Sequence, residues 1–169
     1  MAFSKIIAES MDLTDTYAFT GTVTGAGGNN KPMFLAYQSS GQSLATVTTT
    51  RVVFDTEEFD ADNVFTNTSG NYKFTVPSAG KYWIYVSVSK NSFSGNAFEV
   101  LLKRTRSSTE TVAMNCGAGG TGDSEELAGN WKIFECLVGD VTAKHEDSGN
   151  RSLYGGLNYT FFGAYKILE

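Results

Sequence analysis

The sequence predicts an all-β chain: an antiparallel two-sheet jelly-roll sandwich with a short N-terminal arm. Three observations predict it. The residue mix is rich in Phe (12) and Tyr (8), with 18 Gly and only 2 Pro, which suits pleated strands joined by Gly-containing turns. From Met33 onward, short apolar–polar alternations recur about every 10 to 15 residues, separated by Gly, Asn, Ser or Asp, the spacing of a sandwich or jelly roll. No 3.6-residue period lasts long enough there to place a helix.

The arm is residues 1–32. SKIIAES, from Ser4 to Ser10, reads as a short helix. Tyr17, Phe19, Gly21 and Val23 then alternate with Ala18, Thr20, Thr22 and Thr24, as a strand would. GAGGNNKP at 25–32 breaks regular structure. Such a segment cannot bury a core alone. Its apolar residues, Ile6, Ile7, Met11, Leu13, Tyr17 and Phe19, argue against disorder and for an arm that docks on a partner or neighbouring subunit.

The domain is residues 33–169. FLAYQ (34–38) opens it, followed by TTTRVVF (48–54) and GNYKFTV (70–76). KYWIYVSVS (81–89) is the clearest strand, with Tyr82, Ile84, Val86 and Val88 on one face and Trp83, Tyr85 and Ser87 on the other. AFEVLLKRT (97–105), TETVAMNC (109–116), NWKIFECLV (130–138), VTAKHE (141–146) and LNYTFFGAYKI (157–167) complete the set. Pro77 suits the turn before the clear strand, and Gly80 can take a positive φ. Gly139-Asp140 reads as the tight turn of a hairpin. Gly163, inside the last strand, predicts a bulge or the close approach of another backbone.

One hundred and sixty-nine residues suit one domain with a short appendage. The net charge of −5 and the absence of a basic cluster argue against nucleic acid. No stretch approaches the roughly 20 apolar residues of a membrane-spanning helix. MAFSKIIAESMDL lacks the pattern of a secretion signal, so a cytoplasmic origin is expected. Cys116 and Cys136 are too few for a disulfide framework; two reduced thiols are expected, with a single bridge as the alternative.

Chemistry is sparse, and no cofactor is expected. His145 is the single histidine, on a predicted strand, with no G-x-S-x-G to suggest a nucleophile. The Gly-rich CGAGGTGD (116–123) lacks the Lys-Ser/Thr of a phosphate loop and reads as a plain loop. The acidic run Asp55–Asp62 reads as a solvated loop; Asp55, Asp60 and Asp62 are weak calcium candidates, without the spacing of a helix-loop-helix calcium site. Sequons at Asn67, Asn150 and Asn158 carry little weight without a secretion signal.

An ordered set of segments resembles the globular head of complement subcomponent C-one-q and the tumour-necrosis-factor superfamily. It comprises FLAYQ (34–38), VVFDTEEFDADNVF (52–65), SGNYKFTVPSAGKYWIYVSVS (69–89), ECLVGDVTAKH (135–145) and TFFGAYKI (160–167). The departures are the lack of a Gly-X-Y stalk, and Val76 where the family carries a cysteine. The resemblance implies a homotrimer with aromatic side chains at its axis. Phe161 is placed there by its position in the closing strand, and Trp131, Tyr159 and Phe34 are further candidates; the alternative for all four is their own subunit's core.

The arm, SKIIAESMDLTDTYAFTGTVTGAGG, resembles N-terminal segments of structural and fibre proteins of bacterial viruses, particularly marine ones. That resemblance implies a virion structural protein on the particle's outer surface, made in the host cytoplasm. The leading expectation is a trimeric capsid decoration or cement protein whose arm binds the major capsid protein or another virion protein. The second is a tail-fibre or virion-borne adhesin that binds a host-surface glycan or protein. The third is a cellular complement-head-like binding module. An enzyme is not expected.

Overall fold

A computed structural model describes residues 30–167 apart from 45–48, 91–98, 118–125 and 146–150. The arm residues Ile6, Ile7, Met11, Leu13, Tyr17 and Phe19 therefore lie outside the described residues, as does the Gly-rich loop beyond Gly117. Thirteen strands and no helix are found among the described residues.

The larger sheet contains β1 (Met33–Tyr37), β2 (Gln42–Leu44), β4 (Thr56–Asp60), β7 (Gly80–Lys90), β10 (Glu126–Cys136), β12 (Arg151–Leu153) and β13 (Phe161–Lys166). β7 is its spine, with β10 paired along one side from Lys90↔Glu126 to Gly80↔Cys136. On the other side it pairs with β13 and, at its last residue, with β12. β1 lies next to β13, and β4 closes that edge. The smaller sheet contains β3 (Thr50–Arg51), β5 (Phe65–Thr68), β6 (Asn71–Val76), β8 (Val100–Arg106), β9 (Thr109–Asn115) and β11 (Gly139–His145). Its order is β5-β6-β11-β8-β9, with β3 also on β11. All pairings are antiparallel.

The alternation in β7 does what the sequence predicts. Tyr82, Ile84, Val86 and Val88 are buried between the sheets, while Trp83 and Tyr85 face outward. The core centres on Phe34, which stacks on Phe65 at 4.8 Å and meets Phe74 at 5.0 Å and Phe162 at 5.1 Å. Such offset and edge contacts let large rings fill the layer between two sheets.

Several local expectations are corrected. Gly139-Asp140 does not close a hairpin, because β10 belongs to the larger sheet and β11 to the smaller, so the chain crosses between layers there. The glycine serves packing: a Cβ at position 139 would sit 2.6 Å from the Thr105 carbonyl oxygen. The turn at Pro77 is also a crossing, from β6 to β7, and Gly80 does take a positive φ of 147°. Gly163 makes room for the Tyr85 ring, whose tip would lie 2.3 Å from an added Cβ, and not for another backbone.

TTTRVVF contributes only Thr50–Arg51 to a ladder; Val52 and Phe54 are buried beyond it. The acidic run is not a loop throughout, because Thr56–Asp60 forms β4. Its charged residues blunt an exposed sheet edge against further pairing. The last strand starts at Phe161, later than predicted, and Leu157–Thr160 is a turn in which Tyr159 N–H and Thr160 N–H donate to the Gly156 carbonyl, each at 3.0 Å. β2 and β12 are three-residue strands without a sequence signal, since three residues are too few to show a period.

Candidate functional site

The outer face of the larger sheet gathers aromatic and aliphatic side chains from four strands. Strand parity puts Leu35 of β1, Trp83 and Tyr85 of β7, Trp131 and Ile133 of β10, and Phe161 and Tyr165 of β13 on that face, with Phe59 of β4 opposite Leu35. Trp131 is 62% exposed, Ile133 52% and Phe59 42%, and the others are half-buried. The rings support one another: Trp83 contacts Trp131 at 5.6 Å, Tyr165 at 5.2 Å and Tyr85 at 6.3 Å, and Tyr85 contacts Phe161 at 6.2 Å. A contiguous aromatic surface of this kind marks an interaction site.

The Ser87–Ser89 end of the face is roofed. Residues 154–160 lie over the far end of β7, with Tyr154 N–H donating to the Ser89 carbonyl at 2.9 Å and Ser87 Oγ–H to the Tyr159 carbonyl at 3.3 Å. Ser89 N–H donates to Thr160 Oγ1 at 3.2 Å, so both serines are buried despite their outward parity. Where the roof ends, Leu35, Tyr85, Leu157, Asn158 and Phe161 line an open cleft of about 440 Å³. Burial, followed by the nearby Tyr165 phenol, pushes the Tyr85 phenol above its ordinary value, so it stays a neutral hydrogen-bond donor at neutral pH.

The expected axis residues separate in this fold. Phe161 and Trp131 lie on the aromatic face, while Tyr159 is 50% exposed in the roof turn and its ring packs on Tyr154 at 5.7 Å. Phe34 is corrected. It is 1% exposed and stacked among Phe65, Phe74 and Phe162, so no partner can reach it. Residues 34 and 35 point to opposite faces of one strand, and only pairing to a definite partner tells which faces out. Leu35, Trp83, Tyr85 and Tyr165 were missed for that reason; the alternation in KYWIYVSVS was the signal that could have found two of them.

The acidic residues have structural work. Asp55 accepts from Ser39 N–H and Ser39 Oγ–H, both at 2.7 Å. Burial acts to raise its pKa, but these hydrogen bonds outweigh it and hold the carboxyl below the usual aspartate value. Asp60 accepts from Val64 N–H at 3.0 Å and Phe65 N–H at 2.8 Å, closing the turn before β5. No group of three metal-ligating side chains gathers among the described residues. Asp55, Asp60 and Asp62 do not come together as a cation site. Cys116 and Cys136 are both free and buried. Burial pushes the Cys116 thiol up to about 11 and raises Cys136 as well, the latter against the opposing pull of Arg104 and Arg106. His145 lies on β11, opposite Thr50 and Val100.

No family model matches the chain, and no curated protein matches its sequence. Solved structures do match its fold. Murine APRIL covers 80% of this chain and 99% of its own, with a TM-score of 0.62 at 13% identity. Eiger TNF from S. frugiperda covers 82% and 95%, with a TM-score of 0.59 at 16% identity. The globular domain of zebrafish complement 1qA covers 82% and 99%, with a TM-score of 0.56 at 19% identity. The architecture is therefore the jelly roll of tumour-necrosis-factor and complement-head proteins.

Proposed function

We propose that this chain is a non-enzymatic structural module that assembles as a homotrimer through the outer face of its larger sheet. We further propose that it sits on the outside of a bacteriophage particle as a capsid decoration protein, anchored by residues 1–32 to the major capsid protein or another virion protein. The contiguous aromatic face carries the assembly reading. Leaving Trp131, Ile133, Phe59 and their half-buried neighbours in water forgoes the roughly 25 cal/mol per Å² that burial returns. The virion reading draws on the sequence of the arm and on geometry: a trimer matches local threefold points of a shell.

Three measurements test this. Sedimentation of the purified chain at micromolar concentration should give a trimer, and a monomer would refute the assembly reading. Quantified virions should hold the protein in copy number comparable to the major capsid protein; a few copies per particle would refute decoration. Deleting residues 1–32 should leave a folded trimer that no longer binds particles.

One observation favours a second reading, a virion-borne adhesin for a host-surface glycan. The roof turn presents the exposed Tyr159 ring, tilted by 35° against the half-buried Tyr154 ring, next in sequence to the exposed Asn158, so aromatic surface and an amide lie together. Host adsorption that survives loss of the protein would remove that reading.

A further inference from the structure

We infer that the open side of the sandwich, between β9 and β10, binds an amphiphilic anion of the medium-chain fatty-acid class, with its carboxylate on Arg104 and its tail between the sheets. The site lies in the layer between the sheets, separate from the outer aromatic face.

Parity puts arginines where a sandwich ordinarily carries apolar side chains. Val100, Leu102, Arg104 and Arg106 alternate along the side of β8 that faces the other sheet, and Arg104 is opposite the buried Val141. Arg104 shares a narrow crevice with Ile84, Leu102, Phe134, Cys136 and Val141. The Nε–H of Arg104 and that of Arg106 are both buried without an acceptor. Among the described residues no carboxylate pairs with either guanidinium; Arg106 Nη2–H donates to the Glu135 backbone carbonyl at 3.5 Å. Both arginines pull the Cys136 thiol down against the larger effect of its burial, which sets their charges beside the same crevice. A cation against apolar walls is costly until an anion joins it. A carboxylate matches the planar guanidinium fork, and an alkyl tail matches the walls. An inorganic anion would leave its remaining oxygens facing Leu102 and Phe134.

This side of the sandwich is the one built to part. β9 and β10 are edge strands of different sheets and share no ladder. Asn130 Nδ2–H spans the gap to the Asn115 carbonyl at 3.2 Å, alongside the long Arg106–Glu135 bond. β9 also bulges here: Leu102 is opposite Met114 and Lys103 opposite Val112, so Ala113 is the extra residue. Its methyl group lines the crevice, and a bulge loosens the pairing around it. The crevice is too narrow for water as it stands. Entry of the tail therefore separates β9 from β10, which breaks side-chain hydrogen bonds and no ladder.

Isothermal titration calorimetry on the full chain tests the site, with octanoate, decanoate and octanol kept below their aggregation concentrations. Octanoate should bind saturably, and decanoate more tightly by about fourfold for each added methylene. Octanol, with the same tail and no charge, should bind about tenfold more weakly or worse. Arg104→Gln should weaken octanoate by about the same factor and leave octanol unchanged, and Ala113→Trp should block both, with circular dichroism confirming that each variant folds. In nuclear magnetic resonance spectra of the unaltered chain, octanoate should shift the amides of Ala113, Cys136 and Val141. The octanoate–octanol comparison and this mapping need no variant, so they decide the matter even where a variant fails to fold. No saturable binding, equal affinity for octanol, shifts confined to the outer aromatic face, or undiminished octanoate binding by folded Arg104→Gln would each overturn the site.

Discussion

Phe34→Ala and Phe161→Ala should fail in different ways, although both remove a ring from neighbouring strands of one sheet. Phe34 is fully buried and touches Phe65, Phe74 and Phe162 at centroid distances of 4.8, 5.0 and 5.1 Å. A buried Phe hides on the order of 170 Å² of apolar surface, worth about 4 kcal/mol at roughly 25 cal/mol per Å². Measured truncations of buried Phe fall at about 3–5 kcal/mol, so the expected loss is about 4 kcal/mol. A domain of this size has about 5–15 kcal/mol in total, so the variant stays folded but loses a large share of its stability. Phe161 is half-buried on the outer face with Tyr85 as its ring partner, and its loss should cost one subunit about 1 kcal/mol. Urea unfolding at two protein concentrations a hundredfold apart separates the two effects. Phe34→Ala should lower the midpoint at both concentrations. Phe161→Ala should abolish the dependence of the midpoint on concentration, because assembly that stabilises only folded subunits makes stability concentration-dependent. Equal losses at both concentrations for the two variants would refute the division between core and face.

Gly139→Ala should cost about 2 kcal/mol, because the new Cβ meets the Thr105 carbonyl oxygen at 2.6 Å and backbone cannot step aside cheaply; a thermal melt unchanged from the parent would contradict it. Asp60→Asn should cost about 1 kcal/mol and speed hydrogen exchange at the Val64 and Phe65 amides, whose carboxylate partner it weakens. The Cys116 thiol, pushed up to about 11, should resist an aromatic disulfide reagent at pH 8 until the chain unfolds; stoichiometric labelling of both cysteines within minutes in native buffer would contradict the burial. The pKa of Asp55 is lowered in the fold, so its contribution is present above its unfolded value near 3.8 and is lost as pH falls below that. Ser39→Ala should therefore destabilise the protein at pH 6, and that effect should shrink progressively as pH falls below about 3.8 and through the lowered Asp55 value. Glu57, raised by burial and by the charge of Asp60, acts in the opposite sense, and Glu57→Gln should give its gain above pH 4.5.

The fold class of this protein is legible in its sequence. Alternation in KYWIYVSVS, aromatic and β-branched content, and turn residues between short runs are local properties, and they led to two antiparallel sheets because strand pattern needs no knowledge of the partner strand. The family resemblance, not the local pattern, put Phe161 and Trp131 among the candidate residues. Which face of a strand looks outward is a different kind of fact. FLAYQ does not say whether Phe34 or Leu35 is buried; β13 and β4 decide it by pairing on either side of β1. Gly139-Asp140 looks the same whether the chain turns back within one sheet or crosses to the other, and only the pairing of β10 with β7 and of β11 with β8 distinguishes them. The aromatic face and its cleft draw on strands from β1 to β13, far apart in the chain, and long-range register brings them together. That is why a trimer axis could be expected from resemblance, while the grouping of Trp131, Tyr85 and Leu35 on one face emerged only in three dimensions.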